Sequence, residues 1–321
     1  MSEKEHVVVT GGSGLLGSMI VHLLIEEEKV TPVVMDINPD PKRLDDVKDQ
    51  VEYVLGDISD ADHLNATFAK FKPTKIIHLA VLPGDLCEKE PVQAVKVNIQ
   101  GFINLMEAAL ANGVQQLLFS SSGTTYGEDL EPGVMLTDKT LQRPASFYGI
   151  TKVFSESAGR WYRKTHNFDY RGIHYPAIIG PGLRAAGVVT FASAMIEIPA
   201  KGEPYTIPVG KDICLSLVYV EDGARALIQL GKAPKENIKT INYFINGVQN
   251  PLPNVGEMVE MVKKHIPNAQ INFDVNPEWE KLLQSASHPV DDTSAVAEWN
   301  WSPKYNTWDK IIEAYLRDLK K

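Results

Sequence analysis

Short apolar runs alternate with longer amphipathic stretches from residue 6 to about residue 180. The apolar runs are rich in Val, Ile, Leu and aromatic residues, and they predict strands at residues 6–10, 32–36, 52–55, 75–79, 116–120 and 170–175. The stretches between them have helical periodicity and predict helices at residues 15–28, 61–71, 92–112 and 147–166, with Gly113 as a C-terminal cap. This alternation predicts an α/β fold with a doubly wound parallel sheet that helices cover on both faces.

The regular alternation ends near residue 180, where prolines begin to interrupt shorter elements. These prolines are Pro181, Pro199, Pro204, Pro208, Pro234, Pro251 and Pro253. We therefore expect two parts with a soft, interleaved boundary. Residues 1–180 are predicted to form the larger sheet domain, and residues 181–321 a smaller C-terminal α/β lobe.

Composition and charge narrow the class of protein. Apolar residues make up 44% of the 321 residues and charged residues 23%, which is usual for a globular protein with a large core. The 32 basic and 41 acidic side chains give a net charge of −9, and no basic run stands out, so nucleic acid is not an expected partner.

The compartment is predicted from targeting patterns and cysteines. The N-terminus lacks the pattern of a signal peptide, and no apolar run is long enough to span a membrane, so no membrane partner is expected. Cys87 and Cys214 lie far apart without metal-ligand spacing, which predicts reduced thiols and no metal site. We therefore expect a cytoplasmic protein.

Three glycines with the spacing of a dinucleotide fingerprint follow the first predicted strand. Gly11, Gly14 and Gly17 stand between that strand and the helix that begins near Leu15 and Leu16. Glycine permits the close approach of a diphosphate, and the free N–H groups and positive end of the helix attract it. A turn that only packs a helix on a strand is the alternative. The flanking strand and helix favour a Rossmann-type dinucleotide site.

An acidic residue ends the second predicted strand, at the place where such folds bind a ribose. Asp36 can accept hydrogen bonds from the ribose hydroxyls and repel the additional phosphate of NADP, which predicts NAD as the cofactor. The alternative is a turn aspartate ahead of Asn38 and Pro39, because such sequences also start turns.

A tyrosine and a lysine stand four residues apart in the helix predicted at residues 147–166. The spacing places Tyr148 and Lys152 on one helix face. A cation about 4 Å from the phenol, at an effective dielectric constant near 20, lowers its pKa by about three units. Burial opposes this shift unless the positive nicotinamide ring adds its charge. The pair can then abstract an alcohol proton; a partly buried tyrosine beside a surface lysine is the alternative.

A serine-rich segment follows the fifth predicted strand, at the carboxyl end where ligands bind in such sheets. The Ser122 hydroxyl can hold a substrate oxygen beside Tyr148. A serine that satisfies its own backbone is the alternative.

Together these motifs resemble the extended short-chain dehydrogenase/reductases, in particular the NAD-dependent epimerase/dehydratase family. The likeness runs through TGGSGLLG, Asp36, GDI at residues 56–58, HLA at residues 78–80, Asn98, SSSGTTYG, YGITK, Tyr175-Pro176 and YVED at residues 219–222. Within this group the chain is most similar to the short-chain type of L-threonine 3-dehydrogenase, through FYGITK, residues 175–179 and the C-terminal stretch at residues 290–301. We expect the Trp pair of that stretch to belong to the core.

The resemblance implies a role for each matching residue. Ser122, Tyr148 and Lys152 would form the catalytic set, with Lys152 also binding the nicotinamide ribose. Asn98 would support the active-site helix. The implied cofactor-binding residues are Gly11, Gly14, Leu15, Leu16, Asp36, Asp57, Ile58, Leu79, Ala80, Asn98, Tyr148, Lys152 and Tyr175. A turn aspartate at Asp57 and a buried, hydrogen-bonded histidine at His78 are the alternatives.

Departures from the family pattern bear on the substrate. Gly123 and Thr124 occupy the place of the acidic pair found in nucleotide-sugar dehydratases, so dehydration is not expected; with Ser122 they are candidate substrate contacts. Residues 213–216 lack the arginine that family members use for an anionic substrate group, and Arg184 is the nearest candidate cation. A solvated loop arginine is the alternative.

The resemblance implies an NAD-dependent oxidoreductase that acts on a secondary alcohol of a small polar substrate, in the manner of L-threonine 3-dehydrogenase. A sugar or nucleotide-sugar 4-epimerase is the enzymatic alternative, favoured by Tyr126, and a dinucleotide-sensing scaffold is the alternative without catalysis. The apolar faces of the helices predicted at residues 92–112 and 147–166 indicate a homodimer, although core packing explains the same pattern.

Overall fold

The structure, a computed structural model, describes residues 6–127, 129–131, 133–182, 188–248, 251–286 and 288–320. The strands in these ranges are β1 (His6–Thr10), β2 (Thr31–Asp36), β3 (Glu52–Leu55), β4 (Lys75–His78), β5 (Gln116–Ser122), β6 (Asp169–Tyr175), β7 (Ala177–Ile179), β8 (Tyr205–Ile207), β9 (Leu217–Tyr219), β10 (Asn242–Phe244) and β11 (Ile271–Phe273). The α-helices are α1 (Leu15–Glu26), α2 (Ala61–Phe71), α3 (Gly84–Lys89), α4 (Pro91–Ala94), α5 (Gly101–Ala111), α6 (Phe147–His166), α7 (Phe191–Ala200), α8 (Val220–Lys232), α9 (Val255–His265), α10 (Pro277–Ala286), α11 (Thr293–Trp299) and α12 (Trp308–Asp318).

Seven strands form one parallel sheet in the order β10-β6-β5-β4-β1-β2-β3. The chain winds outward from β1 to β3 in one direction and from β4 to β6 in the other. The predicted doubly wound parallel sheet is therefore confirmed. The strand order reverses between β1 and β4, and ligands bind at this point in such sheets, outside the carboxyl ends of the strands.

The central strand β1 buries its three consecutive valines on both faces of the sheet. Val7 and Val9 pack into the cluster beneath α1 and α8, whereas Val8 packs into the cluster beneath α2 and α5. Successive side chains of a strand point to opposite faces, so a strand with helices on both sides buries every position. All three valines are at most 2% exposed.

The helix predicted at residues 92–112 is confirmed as one continuous helical stretch, although it is not α-helical throughout. It begins as α4, widens into a π-helical turn at Val95–Gln100 and continues as α5. The π-helical turn contains Asn98, whose side chain accepts a hydrogen bond from the Leu82 N–H at 2.7 Å. The predicted cap is confirmed, because Gly113 follows α5 with a φ of +71° and its N–H donates to the Leu110 carbonyl.

The strands beyond residue 180 form two short parallel pairs, β7 with β9 and β8 with β11, while β10 returns to the edge of the large sheet. The core of this region lies among α7, α9 and α12. The Trp pair near the C-terminus packs against the large sheet instead: Trp299 and Trp301 are each 3% exposed, which confirms their predicted place in a core. None of the helices in the described ranges is long and apolar enough to cross a membrane.

Candidate active site

The glycine-rich turn after β1 depends on glycine at two positions. Gly11 has a φ of +71°, and a Cβ atom there would lie 2.7 Å from the Ala80 backbone nitrogen. A Cβ atom on Gly17 would lie 2.3 Å from the Gly11 carbonyl oxygen. Backbone atoms cannot move aside as the end of a flexible side chain can. A side chain at Gly11 would push this turn away from the segment after β4, and one at Gly17 would push it away from α1.

The helix that follows this turn begins without a side-chain cap. Gly14 is its N-cap residue and provides no side-chain acceptor, and the first turn holds no acidic residue. The N–H groups of this turn, which include those of Leu15 and Leu16, are therefore available to an anion that approaches the helix end. A narrow glycine cradle at a free helix N-terminus fits the diphosphate of a dinucleotide.

Asp36 ends β2 directly beside the glycine-rich turn. Its Oδ2 atom accepts hydrogen bonds from the Ser13 N–H at 2.9 Å and the Ser13 hydroxyl at 2.7 Å, and its Oδ1 atom accepts one from the Asn38 N–H at 3.1 Å. These bonds fix the carboxylate at the carboxyl end of the sheet, and each oxygen retains further acceptor capacity for a ribose hydroxyl.

Two further predicted cofactor residues follow β3. The Oδ1 atom of Asp57 accepts a hydrogen bond from the Ser59 N–H at 2.8 Å, as in a turn. Ile58 is 3% exposed and its side chain packs in the core beside Gly101, so only the backbone of Ile58 remains for a ligand. The structure brings this turn next to Asp36, because the Gly56 N–H donates to the Asp36 carbonyl at 2.9 Å.

The segment after β4 lies against the glycine-rich turn. The N–H groups of Leu79 and Ala80 approach the Thr10 hydroxyl at 3.3 and 3.4 Å, and the same hydroxyl is bonded to Nδ1 of His78 at 2.7 Å. Burial, with a smaller contribution from Lys152, lowers the pKa of His78 to about 3, so its ring is neutral. His78 is thus a buried, hydrogen-bonded histidine, while Leu79 and Ala80 lie directly beside Gly11.

Asn98 connects two parts of the site. Its amide nitrogen donates to the Leu82 carbonyl at 3.1 Å and to the Thr151 hydroxyl at 3.2 Å, and its oxygen accepts from the Leu82 N–H. The side chain is 5% exposed and is occupied by these protein partners. It therefore joins the segment after β4 to α6, in agreement with the predicted support of that helix.

Ser122 is the last residue of β5 and begins a tight turn. Its hydroxyl oxygen accepts hydrogen bonds from the Thr124 N–H at 3.2 Å and the Thr124 hydroxyl at 3.0 Å. The following residues form a 3-10 turn that includes Gly123. Ser122 is half-buried and Thr124 is exposed, so the hydroxyls lie at the edge of the sheet where the carboxyl ends of the strands meet.

The first turn of α6 packs directly on the turn after Ser122. A Cβ atom on Gly149 would lie 2.2 Å from the Thr124 carbonyl oxygen, so only glycine allows this approach. The helix start is fixed by Ser146, which accepts from the Gly149 N–H, and by Glu88 of α3, which accepts from the Phe147 N–H at 2.7 Å. This packing brings Tyr148 to the turn that carries Ser122.

Lys152 lies one helical turn after Tyr148 and is 4% exposed. Its ammonium donates to the Ser120 carbonyl at 2.6 Å and lies 5.4 Å from the centre of the Tyr148 ring. Burial lowers the pKa of Lys152 to about 8, although the nearby Glu156 carboxylate opposes that shift. The alternative of a surface lysine is therefore excluded.

Tyr148 is a weak acid in this arrangement. Burial raises the pKa of its phenol above the ordinary value, and the neighbouring Cys87 raises it further. Because the Lys152 ammonium lies over the ring and donates to Ser120, the lowering of the Tyr148 pKa predicted from the sequence is absent here. The positive charge of a bound nicotinamide ring is therefore needed to lower the pKa of the Tyr148 phenol.

Tyr175 and Arg184 are the remaining residues that the sequence predicts for the site. Tyr175 pairs with Ser122 across β5 and β6, is 4% exposed, and donates its hydroxyl proton to the Gly223 carbonyl at 2.6 Å. Arg184 lies outside the described residues. Sequence reasoning missed Glu88, Gly149 and Glu156, although the spacing of Glu156 from Lys152 repeats that of Lys152 from Tyr148.

Comparisons with known proteins agree with this geometry. The sequence profile of the NAD dependent epimerase/dehydratase family matches residues 7–245. Mitochondrial L-threonine 3-dehydrogenase from Bos taurus is 26% identical over 307 residues, which cover 95% of this chain and 80% of that protein.

Two solved structures share the fold. A monomeric L-threonine 3-dehydrogenase of metagenomic origin superposes with a TM-score of 0.87 at 23% identity, covering 98% of both chains. UDP-glucose 4-epimerase from Thermotoga maritima superposes with a TM-score of 0.82 at 23% identity, covering 98% of this chain and 100% of the epimerase.

Proposed function

The chain belongs to the NAD-dependent epimerase/dehydratase family, and from that membership we propose that it oxidises the secondary alcohol of a small polar substrate, with L-threonine as the first candidate. One observation carries the proposal. The close packing of Gly149 on the Thr124 carbonyl brings Tyr148 and Lys152 of α6 to the turn that begins at Ser122.

We assign cofactor binding to the larger sheet domain at residues 1–180 and substrate binding to the smaller lobe at residues 181–321. In this proposal the glycine-rich turn and the start of α1 hold the NAD diphosphate, and Asp36 binds the adenosine ribose. Asp57, the Ile58 backbone, Leu79, Ala80 and Tyr175 lie along the remaining cofactor surface, which Asn98 supports. Lys152 binds the nicotinamide ribose.

Bound NAD⁺ would supply the acceptor for the hydride that leaves the carbinol carbon of the substrate. Ser122, with Thr124 and the Gly123 backbone beside it, holds the substrate hydroxyl, and the Tyr148 oxygen takes the hydroxyl proton. Burial disfavours the Tyr148 phenolate, so the Lys152 ammonium and the positive charge that bound NAD⁺ would bring are both needed to stabilise the negative charge on that oxygen. One carbon–hydrogen bond and one oxygen–hydrogen bond break, and the product is a ketone.

Substrate assays with the purified protein test this proposal. We expect NADH to form when NAD⁺ is supplied with L-threonine, within a panel of hydroxy acids, amino alcohols and sugars. If no secondary alcohol in the panel is oxidised or epimerised, the proposal is wrong.

A sugar or nucleotide-sugar 4-epimerase is the second candidate. It is favoured by Tyr126. The uncharged side chains at Ile213, Leu215 and Ser216 offer no cation to a carboxylate or to a diphosphate, so they do not separate the two candidates. An epimerase returns the hydride to the same carbon, so it would retain NAD through purification and interconvert sugar epimers without net NADH formation. The same panel therefore separates the two activities.

Replacement of Asp36 should weaken the choice between the two dinucleotides. In Asp36→Ala the ribose loses a charged acceptor, and NADP no longer meets a negative charge, so the preference for NAD should narrow by at least about tenfold. Titration of both cofactors measures this ratio. Asp57→Ala is the matched control, because it should weaken both cofactors without changing their ratio. A wild-type protein that prefers NADP would contradict the role of Asp36.

We also propose a homodimer formed through α6 and its neighbour α4. Ile150, Phe154 and Trp161 are 47%, 37% and 53% exposed and lie on the face of α6 opposite Lys152, while Val92 of α4 is 84% exposed. Neighbouring apolar side chains of this kind are typical of an interface. One protein with the same fold is monomeric, so the oligomeric state of this chain has to be measured.

Phe154→Glu should convert such a dimer into a monomer, because a carboxylate would be buried without a partner in the interface. Light scattering coupled to size-exclusion chromatography gives the mass of each species. Val296→Glu changes a 49% exposed side chain on α11 and should leave the dimer intact. A wild-type protein that is monomeric at micromolar concentration would exclude the dimer.

The compartment that we propose is the cytoplasm. Cys87 and Cys214 are both free thiols, which accords with reducing surroundings.

A further inference from the structure

A buried carboxylate lies on the catalytic helix one turn after Lys152. Glu156 is 2% exposed, and its oxygens accept hydrogen bonds from the Ser121 hydroxyl, from the Gln142 amide at 2.8 Å, from Nε2 of His174 at 3.0 Å and from the Asn242 amide at 3.2 Å. A buried charge is costly unless such partners surround it, and an apolar side chain would fill this space at less cost. Packing alone therefore does not explain why a charged carboxylate occupies this position.

The position of Glu156 relative to Lys152 supplies that explanation. Tyr148, Lys152 and Glu156 follow one another at intervals of four residues and share one face of α6. The Lys152 ammonium donates to the Ser120 carbonyl, and the Glu156 carboxylate accepts from the Ser121 hydroxyl. The cation and the anion are thus anchored to adjacent residues of β5, directly before Ser122.

We propose that Glu156 is a positioning residue that keeps the buried Lys152 ammonium protonated and anchored on β5. This inference rests on the proposed function, in which Lys152 stabilises the negative charge on Tyr148. Lys152 forms no direct ion pair with a carboxylate in the part of the chain that the structure describes, so a countercharge acts on it without direct contact. Glu156, held by Ser121, provides that charge.

The other titratable groups around Lys152 do not supply the same charge. On β4, burial lowers the pKa of His78 to about 3 and keeps the ring neutral. Burial raises the pKa of the Cys87 thiol on α3 and, in the protein without its cofactor, of the Tyr148 phenol on α6, so neither supplies a negative charge there near neutral pH. Burial alone would also raise the pKa of Glu156, but His174 and the hydrogen bonds of Ser121 and Gln142 bring it below the usual value.

The protonation of Lys152 can be measured without turnover. In protein labelled with ¹³Cε-lysine, the Lys152 resonance, assigned with Lys152→Arg, reports its titration midpoint. We expect Glu156→Gln to lower that midpoint by about one pH unit or more, because removal of the countercharge leaves the burial of the ammonium uncompensated. The alkaline limb of the kcat/KM profile should move to lower pH by the same amount.

A control variant separates this effect from the loss of a carboxylate that accepts several hydrogen bonds elsewhere in the chain. Glu298 also accepts several hydrogen bonds, among them those of the Lys239 N–H and the Tyr243 hydroxyl, but it lies on α11. Glu298→Gln should therefore reduce stability without moving the Lys152 midpoint. If Glu156→Gln does not fold, Glu156→Gln/His174→Gln replaces both members of this buried pair and should show the same lowered midpoint.

An unchanged Lys152 midpoint in the folded variant would overturn the proposal, even if activity fell, because a merely structural residue gives that result. Failure of the proposed function has a different signature. In that case Lys152→Met would leave turnover unchanged, while the midpoint measured by NMR would still respond to Glu156.

Discussion

Tyr148→Phe should lower kcat by about 10² or more while leaving NAD affinity within about threefold of wild type. The substitution keeps the ring that packs near Gly84 and the Lys152 ammonium, and it removes only the oxygen that accepts the substrate proton. Because proton transfer is needed only as the alcohol reacts, the loss should fall on kcat. Steady-state kinetics with the substrate found in the panel, together with a direct titration of NAD, measure both quantities.

The same substitution elsewhere on α6 provides the control. Tyr162 is 3% exposed and donates its hydroxyl proton to Glu107, away from the turn at Ser122. Tyr162→Phe should therefore change stability and leave kcat near the wild-type value. If Tyr148→Phe retains near-normal turnover, Tyr148 is not the base and the catalytic assignment is wrong.

Arg171→Met should lower the free energy of unfolding by about 3–5 kcal/mol. Arg171 is 2% exposed and binds both oxygens of Asp169, at 2.9 and 2.8 Å, as well as the carbonyls of Leu230 and Ala233 at the end of α8. Methionine fills the volume of the side chain but removes the donor of these buried hydrogen bonds, while Asp169 keeps those from Gln116 and Arg163. Denaturation by urea, followed by circular dichroism and tryptophan fluorescence, measures the loss.

Arg160→Met is the control for this prediction, because Arg160 is exposed and donates to the Thr240 carbonyl at the surface. We expect its effect on the free energy of unfolding to stay within about 0.5 kcal/mol. Equal losses in the two variants would show that the buried network at Asp169 contributes nothing specific.

The network at Asp169 also predicts the direction of a pH effect. Burial alone would raise the pKa of Asp169, but the hydrogen bonds of Arg171 and Gln116 bring it below the usual value. A carboxyl group with a lowered folded-state pKa stabilises the protein above its unfolded pKa of about 3.9, and this stabilisation is lost as the pH falls through the folded value. In Asp169→Asn that acid-dependent part of the stability curve should be absent.

Local patterns in the sequence predicted most of the sheet and much of the candidate site. The valines of β1 indicated a strand buried on both faces, because each position of such a strand needs an apolar side chain. The glycine spacing from Gly11 to Gly17 and the carboxylate of Asp36 indicated a dinucleotide site for a similar reason. The turn that approaches a diphosphate and the strand next to it are formed by residues that are close in sequence, so a local pattern is enough to predict them.

The strand conformation of polar residues at strand ends was harder to predict from the sequence. The strand predicted at residues 116–120 continues to Ser122, because Ser121 and Ser122 pair with His174 and Tyr175 of β6. Apolar periodicity does not detect these serines, since their strand conformation depends on a partner far away in the chain. The π-helical turn around Asn98 escaped prediction because hydrophobic periodicity does not report a single widened turn.

The sequence by itself therefore determined the parallel order of strands and helices, the glycine turn and the spacing of Tyr148 and Lys152, which all depend on neighbouring residues. Only the tertiary structure decided how those residues meet. The approach of Gly149 to the Thr124 carbonyl and the bond from Lys152 to Ser120 arise from the packing of α6 on β5 and on the turn after it. The enclosure of Glu156 also needs Gln142 of the loop before α6, His174 of β6 and Asn242 of β10. Charge and burial at the site follow from that packing, because desolvation depends on every element that surrounds a group.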